Sequence, residues 1–272
     1  MATQRTVLPR IGLGTFRLKD QDVIDSVTSA LSLGYRHIDT AQFYGNERAV
    51  GEALAQSHVP REEIFLTTKV WWDQLQPQAL LDSLEESRRQ LGVDYVDLAL
   101  VHWPSPDDEV PMADYIGALN QAREQGLTRD IGVSNFTVAQ IDRALSVPGG
   151  EHLITNQIEV HPFLANRKLV EHCQSKGLEV TAYMPLAVGK VMDDPVLKRI
   201  AQAHDASPAQ IALAWIAARD IIVIPSSTKP ANQKSNIEAM NIRLSDDEIE
   251  QINRLDRGDR QANPSFAPRW DE

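Results

Sequence analysis

The sequence predicts an α/β protein folded as a closed (β/α)8 TIM barrel with a short N-terminal hairpin. Strand-like apolar runs recur eight times, and most show no polar alternation, as expected for strands covered on both faces. Segments of helical periodicity lie between them, and no linker or low-complexity stretch interrupts the repeat. This order predicts parallel strands joined by crossover helices in one domain over residues 1–272. A doubly wound open sheet is the alternative.

The eight predicted strands are spaced so that a helix fits between most neighbours. In chain order they are Ile11–Thr15, His37–Asp39, Phe65–Trp71, Val96–His102, Ile131–Val133, Asn156–Val160, Val180–Tyr183 and Ile221–Ile224. Pro77 and Pro208 occupy first-turn positions of predicted helices, and Ser207 is an N-cap candidate. Ser245 and Glu248 have the spacing of a capping box.

Both ends of the chain carry weaker patterns. Val7–Ile11, interrupted by Pro9, is consistent with a hairpin closing the barrel floor, and the polar segment Gly258–Glu272 predicts a loop. The open-sheet alternative would normally bind a dinucleotide on a G-x-G-x-x-G turn. Gly12 and Gly14 supply two glycines, but Arg17 stands at the third position. Any nicotinamide cofactor is therefore expected to bind in another way.

The composition narrows the classes of ligand and partner. A formal net charge of -11 disfavours nucleic acid and anionic membranes. Cys173 is the only cysteine, so the chain has no internal disulfide and no zinc-type ligand set, and we expect no metal. No apolar run has the length of a signal peptide or a membrane span. We therefore expect a cytoplasmic protein that binds small molecules rather than nucleic acids or membranes.

Four polar residues stand at or just after the ends of successive predicted strands: Asp39, Tyr44, Lys69 and His102. Taken singly, each has an ordinary explanation as a turn residue, a surface lysine or a packed histidine. Taken together they predict a site, because reactive groups of such barrels gather at the carboxyl ends of the strands.

These residue types suit acid catalysis on a carbonyl group. A phenol with a pKa near 10 is a weak acid unless a cation lowers that pKa, and a buried ammonium requires a carboxylate. Tyr44, Lys69 and Asp39 would form that chain, with His102 orienting the carbonyl oxygen.

At this point the sequence resembles the aldo-keto reductases, a family of nicotinamide-dependent (β/α)8 barrels. The matching stretches run from the first predicted strand to the last, which makes the set highly specific. They are Gly12–Thr15, Asp39–Ala41 with Tyr44 and Asn46–Glu47, Thr68–Lys69, Val101–Pro104, Gly132–Phe136, Asn156–Glu159 and Ile224–Ser227.

The resemblance implies a catalytic tetrad of Asp39, Tyr44, Lys69 and His102, with Tyr44 as proton donor. It implies that Ser134, Asn135 and Gln157 bind the nicotinamide carboxamide and that Tyr183 stacks on the ring. The remaining implied cofactor residues lie near the first strand, after the seventh and after the eighth. They are Gly14, Thr15, Met184, Pro185, Leu186, Gly189, Lys190, Ser226, Ser227, Thr228, Lys229, Asn232 and Asn236.

The segment after the last strand departs from the family pattern. NADPH-preferring relatives commonly carry Lys after Ile-Pro and Arg six residues later, whereas this chain has Ser226 and Asn232. Lys229 or Lys234 could replace those cations at a 2'-phosphate, with hydroxyl donors nearby. We therefore expect NADPH as cofactor, with NADH as an open alternative.

The resemblance also implies a substrate pocket walled by Phe16, Trp71, His102 and Trp103. Trp72 is equally consistent with core packing, and Trp270 could fold over the pocket. The implied substrates are small dicarbonyls such as methylglyoxal and keto-sugar acids such as 2,5-diketo-D-gluconate, and we expect a monomer.

Two other functions remain open at this stage. The first is a non-catalytic nicotinamide-binding subunit, although such a protein would be expected to lack a tetrad member. The second is an aldolase in which Lys69 forms a Schiff base.

Overall fold

The computed structural model describes residues 7–271, in which eight parallel strands follow one another in sequence order. The strands are β1 (Leu13–Gly14), β2 (His37–Asp39), β3 (Phe65–Val70), β4 (Val96–Val101), β5 (Thr128–Ser134), β6 (Leu153–Glu159), β7 (Glu179–Tyr183) and β8 (Ile221–Val223). In this part of the chain, strands that follow one another in sequence are also hydrogen-bonded neighbours in the sheet. The doubly wound alternative is therefore wrong, because its strand order reverses within the sheet.

The sheet closes on itself through backbone hydrogen bonds between its first and last strands. Gly12 N donates to Val223 O at 2.8 Å, Val223 N donates to Arg10 O at 3.1 Å, and Gly14 N donates to Pro225 O at 3.1 Å. A Cβ atom at Gly14 would lie 2.8 Å from the Ile224 carbonyl oxygen, so glycine permits this close approach. The predicted barrel is thereby confirmed.

Ten α-helices occupy the described residues, and most lie between successive strands. They are α1 (Asp20–Ser32), α2 (Glu47–Gln56), α3 (Pro77–Leu91), α4 (Met112–Glu124), α5 (Val138–Ser146), α6 (Arg167–Ser175), α7 (Pro195–Ala203), α8 (Pro208–Ala217), α9 (Pro230–Glu238) and α10 (Asp246–Asn253). Pro77 and Pro208 begin their helices as predicted. Ser207 caps α8, and Ser245 with Glu248 forms the expected capping box.

Two apolar clusters stabilise the barrel. The larger packs the helices on the strands, and the smaller contains Leu8, Phe65, Leu98, Leu100 and Ile222, which come from the N-terminal segment and three strands. Alternation along β4 separates them, because Leu98 and Leu100 belong to the small cluster while Ala99 and Val101 belong to the large one. The small cluster lies in the barrel interior, where the buried His37 packs on Phe65 and lies 3.0 Å from Thr67 Oγ1.

The N-terminal hairpin is absent from the described part of its predicted range. Val7–Pro9 has no strand structure, and Ile11 pairs in parallel with Val223 instead of antiparallel within the segment. Pro9 cannot donate a ladder hydrogen bond, and the buried Leu8 side chain holds the segment against the barrel. The floor is therefore packed by an extended segment, and residues 1–6 lie outside the described range.

The segment after α10 is a loop, as predicted, with no helix or strand between residues 258 and 271. Cys173 is buried on α6, in agreement with a packing role. No helix in residues 7–271 combines the length and apolar character needed to cross a bilayer.

Candidate active site

The four predicted catalytic residues meet at the carboxyl ends of β2, β3 and β4. Asp39 ends β2 and Lys69 lies in β3, while His102 follows β4 directly. Tyr44 ends a short 3-10 helix over Gln42–Tyr44. Lys69 Nζ lies 2.5 Å from Asp39 Oδ1 and 3.2 Å from Tyr44 Oη, and it also donates to Thr40 O at 2.9 Å. The rings of Tyr44 and His102 are edge to face, with centroids 5.8 Å apart.

The Lys69 ammonium is fully buried, and its three hydrogen bonds satisfy all its donors. Desolvation lowers the pKa of Lys69, but Asp39 and Tyr44 raise it more, so the pKa lies above its ordinary value. The amine is therefore protonated at neutral pH. A protonated amine without a free lone pair cannot attack a carbonyl, which argues against the Schiff-base aldolase alternative.

The phenol of Tyr44 titrates differently from what the sequence suggested. Burial raises the pKa of Tyr44 and Asp39 adds to that effect, while Lys69 lowers it through its charge and its hydrogen bond. On balance the pKa lies above 10, because desolvation outweighs the neighbouring cation. The expectation that Lys69 brings this pKa down overall is wrong. Tyr44 nevertheless carries its proton throughout the neutral range, as a proton donor must.

His102 is a neutral imidazole in this setting. Burial and the charge of Lys69 lower its pKa well below the ordinary value of 6.5. Its Nδ1 atom is buried without a hydrogen-bond partner, and its ring packs edge to face on Trp71 with centroids 5.0 Å apart. A neutral ring presents one N–H donor, so His102 can direct a carbonyl oxygen without adding a charge.

The predicted nicotinamide residues form one hydrogen-bonded cluster beside the tetrad. Ser134 Oγ donates to Gln157 O at 2.8 Å, and Tyr183 Oη lies 2.7 Å from Asn135 Oδ1. Asn135 Nδ2 donates to the backbone oxygen of His102 at 3.0 Å. Gln157 Nε2 donates to Asp39 Oδ2 at 2.8 Å, so the carboxylate that pairs with Lys69 also joins this cluster.

The loop after β7, which contains predicted cofactor residues from Met184 to Lys190, has an unusual backbone. Met184, Ala187 and Val188 have φ values of 47°, 48° and 54°, in the left-handed region that side chains disfavour, and Gly189 has a φ of 90°. Met184, Pro185, Leu186 and Gly189 line the cavity described below. Lys190 is not among its lining residues, and its ammonium pairs with Asp259 at 3.0 Å.

The predicted cofactor residues after β8, from Ser226 to Asn236, are divided between the cavity and the protein interior. The cavity-lining members are Ser226, Ser227, Thr228, Lys229 and Asn232. Asn236 is buried on α9 and does not line the cavity. Two predicted cofactor residues elsewhere, Thr15 after β1 and Ser134 at the end of β5, are also buried outside the lining. Lys234 also lies outside the lining and is 3.9 Å from Glu238. Of the two candidate replacement cations, only Lys229 therefore faces the cavity.

A cavity of about 800 Å³ at the barrel mouth is lined by Asp39, Tyr44 and His102 and continues along the cofactor residues named above as lining it. Phe16, Trp71 and Trp103 line it, as predicted from the sequence, and so does Trp72. Phe43 and Phe266 also line it but were not predicted. Phe43 stacks on Trp71 with centroids 3.9 Å apart. Its position beside Tyr44 was the one sequence signal for it.

Phe266 belongs to the C-terminal loop and packs edge to face on Trp71 and Trp103, at centroid distances of 5.7 and 5.4 Å. Trp270 packs on Trp103 at 6.0 Å without lining the cavity. Trp270 therefore does not form a wall of the pocket as suggested, and Phe266 of the same loop forms that wall instead.

Three comparisons with known proteins agree with this geometry. The profile of the Aldo/keto reductase family matches residues 10–257. A methylglyoxal reductase DkgB of Escherichia coli O157:H7 is 51% identical over 265 residues, which cover 97% of this chain and 99% of that one. An aldo-keto reductase of Mycolicibacterium vanbaalenii is 42% identical, over 93% of this chain and 90% of its own length.

Solved structures give the same answer. One assigned as 2,5-diketo-D-gluconic acid reductase B superimposes with a TM-score of 0.93 at 41% identity, covering 97% of this chain and 94% of that chain. The aldose reductase of Schistosoma japonicum gives 0.89 at 33% identity, covering 97% and 95%. With the family profile covering nine-tenths of its length, the chain belongs to the aldo/keto reductase family and is an oxidoreductase acting on carbonyl groups.

Proposed function

We propose that the protein reduces small aldehydes and ketones to alcohols with NADPH, using Tyr44 as the proton donor. The observation that carries this proposal is the hydrogen bond between Lys69 Nζ, which is buried, and Tyr44 Oη, at 3.2 Å, where Tyr44 and His102 both line the cavity. One chain supplies every group of the site, which supports action as a monomer with a single domain.

The residues present fit a nicotinamide dinucleotide. The cavity extends from the tetrad past Tyr183 and the loop after β7 to Lys229, a path that an elongated cofactor requires. The amides of Asn135 and Gln157 provide donors and acceptors for a carboxamide, and the Tyr183 ring offers a face for stacking. A reduced nicotinamide held there would supply hydride to the carbonyl carbon.

The far end of the cavity supports NADPH over NADH. Lys229 lines the cavity without a carboxylate partner in the described residues, and hydroxyl groups of Ser226 and Thr228 lie beside it. A 2'-phosphate would accept charge-assisted hydrogen bonds from such a set. The absence of the family's usual Lys and Arg at positions 226 and 232 means that this preference rests largely on one cation.

The protein groups act on the carbonyl oxygen. His102, as a neutral donor, would hold that oxygen near Tyr44 by a hydrogen bond. As negative charge develops on the oxygen, the phenol of Tyr44 transfers its proton to it, and the adjacent Lys69 stabilises the phenolate that remains. Asp39 keeps Lys69 charged and in place. Aromatic walls restrict water around these groups, which strengthens each electrostatic contribution.

We propose small dicarbonyls as substrates, with methylglyoxal first and keto-sugar acids second. The similarity to a methylglyoxal reductase at 51% identity and to a 2,5-diketo-D-gluconic acid reductase B at 41% identity supports both classes. The pocket near His102 supports the first more directly, because most of its walls are aromatic rings. The alternative of a non-catalytic cofactor-binding subunit receives no support from the site, since all four tetrad side chains are present and in contact.

The test is Tyr44→Phe, which removes only the phenolic oxygen. We expect methylglyoxal reduction to fall by about 10²–10⁴-fold, the usual contribution of a positioned acid. NADPH should still quench the fluorescence of the five tryptophans with unchanged affinity. Tyr95→Phe, the same change at a tyrosine that packs against Arg61 and Arg129 outside the cavity, serves as control. Turnover near the wild-type rate in the Tyr44 variant would exclude Tyr44 as the acid.

A further inference from the structure

The C-terminal tail, residues 258–266, lies over the barrel mouth and is bound near its middle by one buried carboxylate. Glu159 ends β6 and is fully inaccessible to solvent. Its Oε1 accepts a hydrogen bond from Gln261 N at 2.7 Å, and its Oε2 accepts one from Ala262 N at 2.8 Å. His161 Nε2 lies 2.8 Å from Oε1. The carboxylate therefore accepts hydrogen bonds from two successive backbone N–H groups of the tail, in the way that consecutive backbone N–H groups bind an anion.

The tail carries pocket walls on the far side of this anchor. Ala262, Pro264 and Phe266 all line the cavity. Phe266 contacts the rings of Trp71, Trp72 and Trp103, at centroid distances between 5.4 and 5.7 Å. In the described residues the tail contains no helix or strand to hold it by itself. The position of Phe266 is thus determined by side chains of the barrel.

Glu159 is adjacent to Tyr183 across β6 and β7, and its charge helps raise the pKa of Tyr183, but it makes no direct contact with the reacting groups. It has no hydrogen bond to Asp39, Tyr44, Lys69 or His102 and does not line the cavity. Other contacts hold the loop on either side: Asp259 pairs with Lys190 before the lining residues, and Asp271 accepts a hydrogen bond from Val138 N at 2.8 Å after them. The two bonds to Glu159 are those directly adjacent to the lining residues.

We infer that Glu159 is a positioning residue that sets substrate discrimination by holding the tail, and with it Phe266, against the aromatic wall. This inference rests on the proposed function. A substrate too small to reach Phe266 is insensitive to Glu159, whereas a substrate with a ring beyond its dicarbonyl group depends on it. The step of proton transfer is the same for both.

The test compares methylglyoxal with phenylglyoxal, which share the dicarbonyl group and differ by a methyl or a phenyl substituent. In Glu159→Gln the carboxamide presents an N–H group where one tail amide needs an acceptor, so one of the two anchoring bonds is lost. We expect the KM for phenylglyoxal to rise about tenfold, the equivalent of one hydrogen bond to a charged group. The kcat and KM for methylglyoxal should stay within about twofold of wild type. Glu171→Gln, an exposed glutamate on α6, is the matched control.

Hydrogen–deuterium exchange provides a readout independent of activity. In Glu159→Gln the amides of the tail should exchange faster, while those of β3 and β4 keep their wild-type rates. Phe266→Ala should raise the KM for phenylglyoxal without accelerating exchange at Gln261 and Ala262. If Glu159→Gln does not fold, Gln261→Pro removes the tail N–H that reaches Glu159 Oε1, at a residue outside the cavity lining, with the same expected rise in KM.

Several results would overturn the inference. An unchanged phenylglyoxal KM in the folded Glu159 variant would do so, as would an equal loss of kcat for both substrates or unchanged exchange in the tail. Failure of the wild-type protein to reduce either compound would instead contradict the proposed function, because the exchange experiment tests the anchor separately.

Discussion

Lys69 and Asp39 form a buried ion pair, and removal of either partner alone should lower the free energy of unfolding by several kilocalories per mole. The two side chains are 0% and 2% exposed. Removal of one partner of a buried ion pair leaves an uncompensated charge and typically costs about 3–5 kcal/mol of folding free energy. We therefore expect Lys69→Met and Asp39→Asn each to destabilise the protein by about that amount. The double variant leaves neither charge and should cost much less than the sum.

The assay is urea unfolding followed by tryptophan fluorescence, for the wild type, both single variants and the double variant. Arg143→Met is the control, because Arg143 pairs with Asp108 at 2.7 Å but the two side chains are 47% and 53% exposed. Such a solvated pair contributes about 0–1 kcal/mol. Burial alone then separates the two pairs. Strict additivity of the single changes, or a cost at Lys69 no larger than at Arg143, would refute this reasoning.

Three further predictions follow from charges in and around the site. Lys229→Met should raise the KM for NADPH about tenfold, because a charge-assisted hydrogen bond is lost, and leave the KM for NADH unchanged. Lys234→Met is the control, and equal effects of Lys229→Met on both cofactors would contradict a 2'-phosphate contact. Because the pKa of Tyr44 is raised, carbonyl reduction should hold across neutral pH while alcohol oxidation, which needs the phenolate, rises steadily toward alkaline pH; a flat oxidation profile would oppose this. Burial lowers the pKa of His37 from 6.5 to about 4. As the pH drops, the unfolded chain therefore binds a proton at this residue before the folded protein does, and folding stability should fall by about 3 kcal/mol between pH 6.5 and pH 4. The urea midpoint of His37→Asn should show a smaller change over that range, and an identical change would exclude His37 as its source.

The sequence was enough to predict the barrel and the tetrad. Apolar runs such as Val96–Val101 have no alternation, which indicates strands covered on both faces. Their repeated spacing left an open sheet and a closed barrel, and the incomplete G-x-G-x-x-G turn at Arg17 favoured the barrel. That topology places strand ends at a common mouth, so Asp39, Lys69 and His102 could be brought together without coordinates. Pro208 and Ser245 marked helix starts correctly because capping is a local interaction.

The tertiary structure decided what depends on contacts between distant segments. The tail sequence is polar and without periodicity, so nothing local indicated that Phe266 reaches Trp103 or that Glu159 holds Gln261 and Ala262. The pKa of Tyr44 likewise depends on how completely the assembled barrel excludes water, which outweighs the cation beside it. Periodicity and capping are read within a few residues of the chain. Desolvation and long-range anchoring arise only when those residues are surrounded by others far away in sequence.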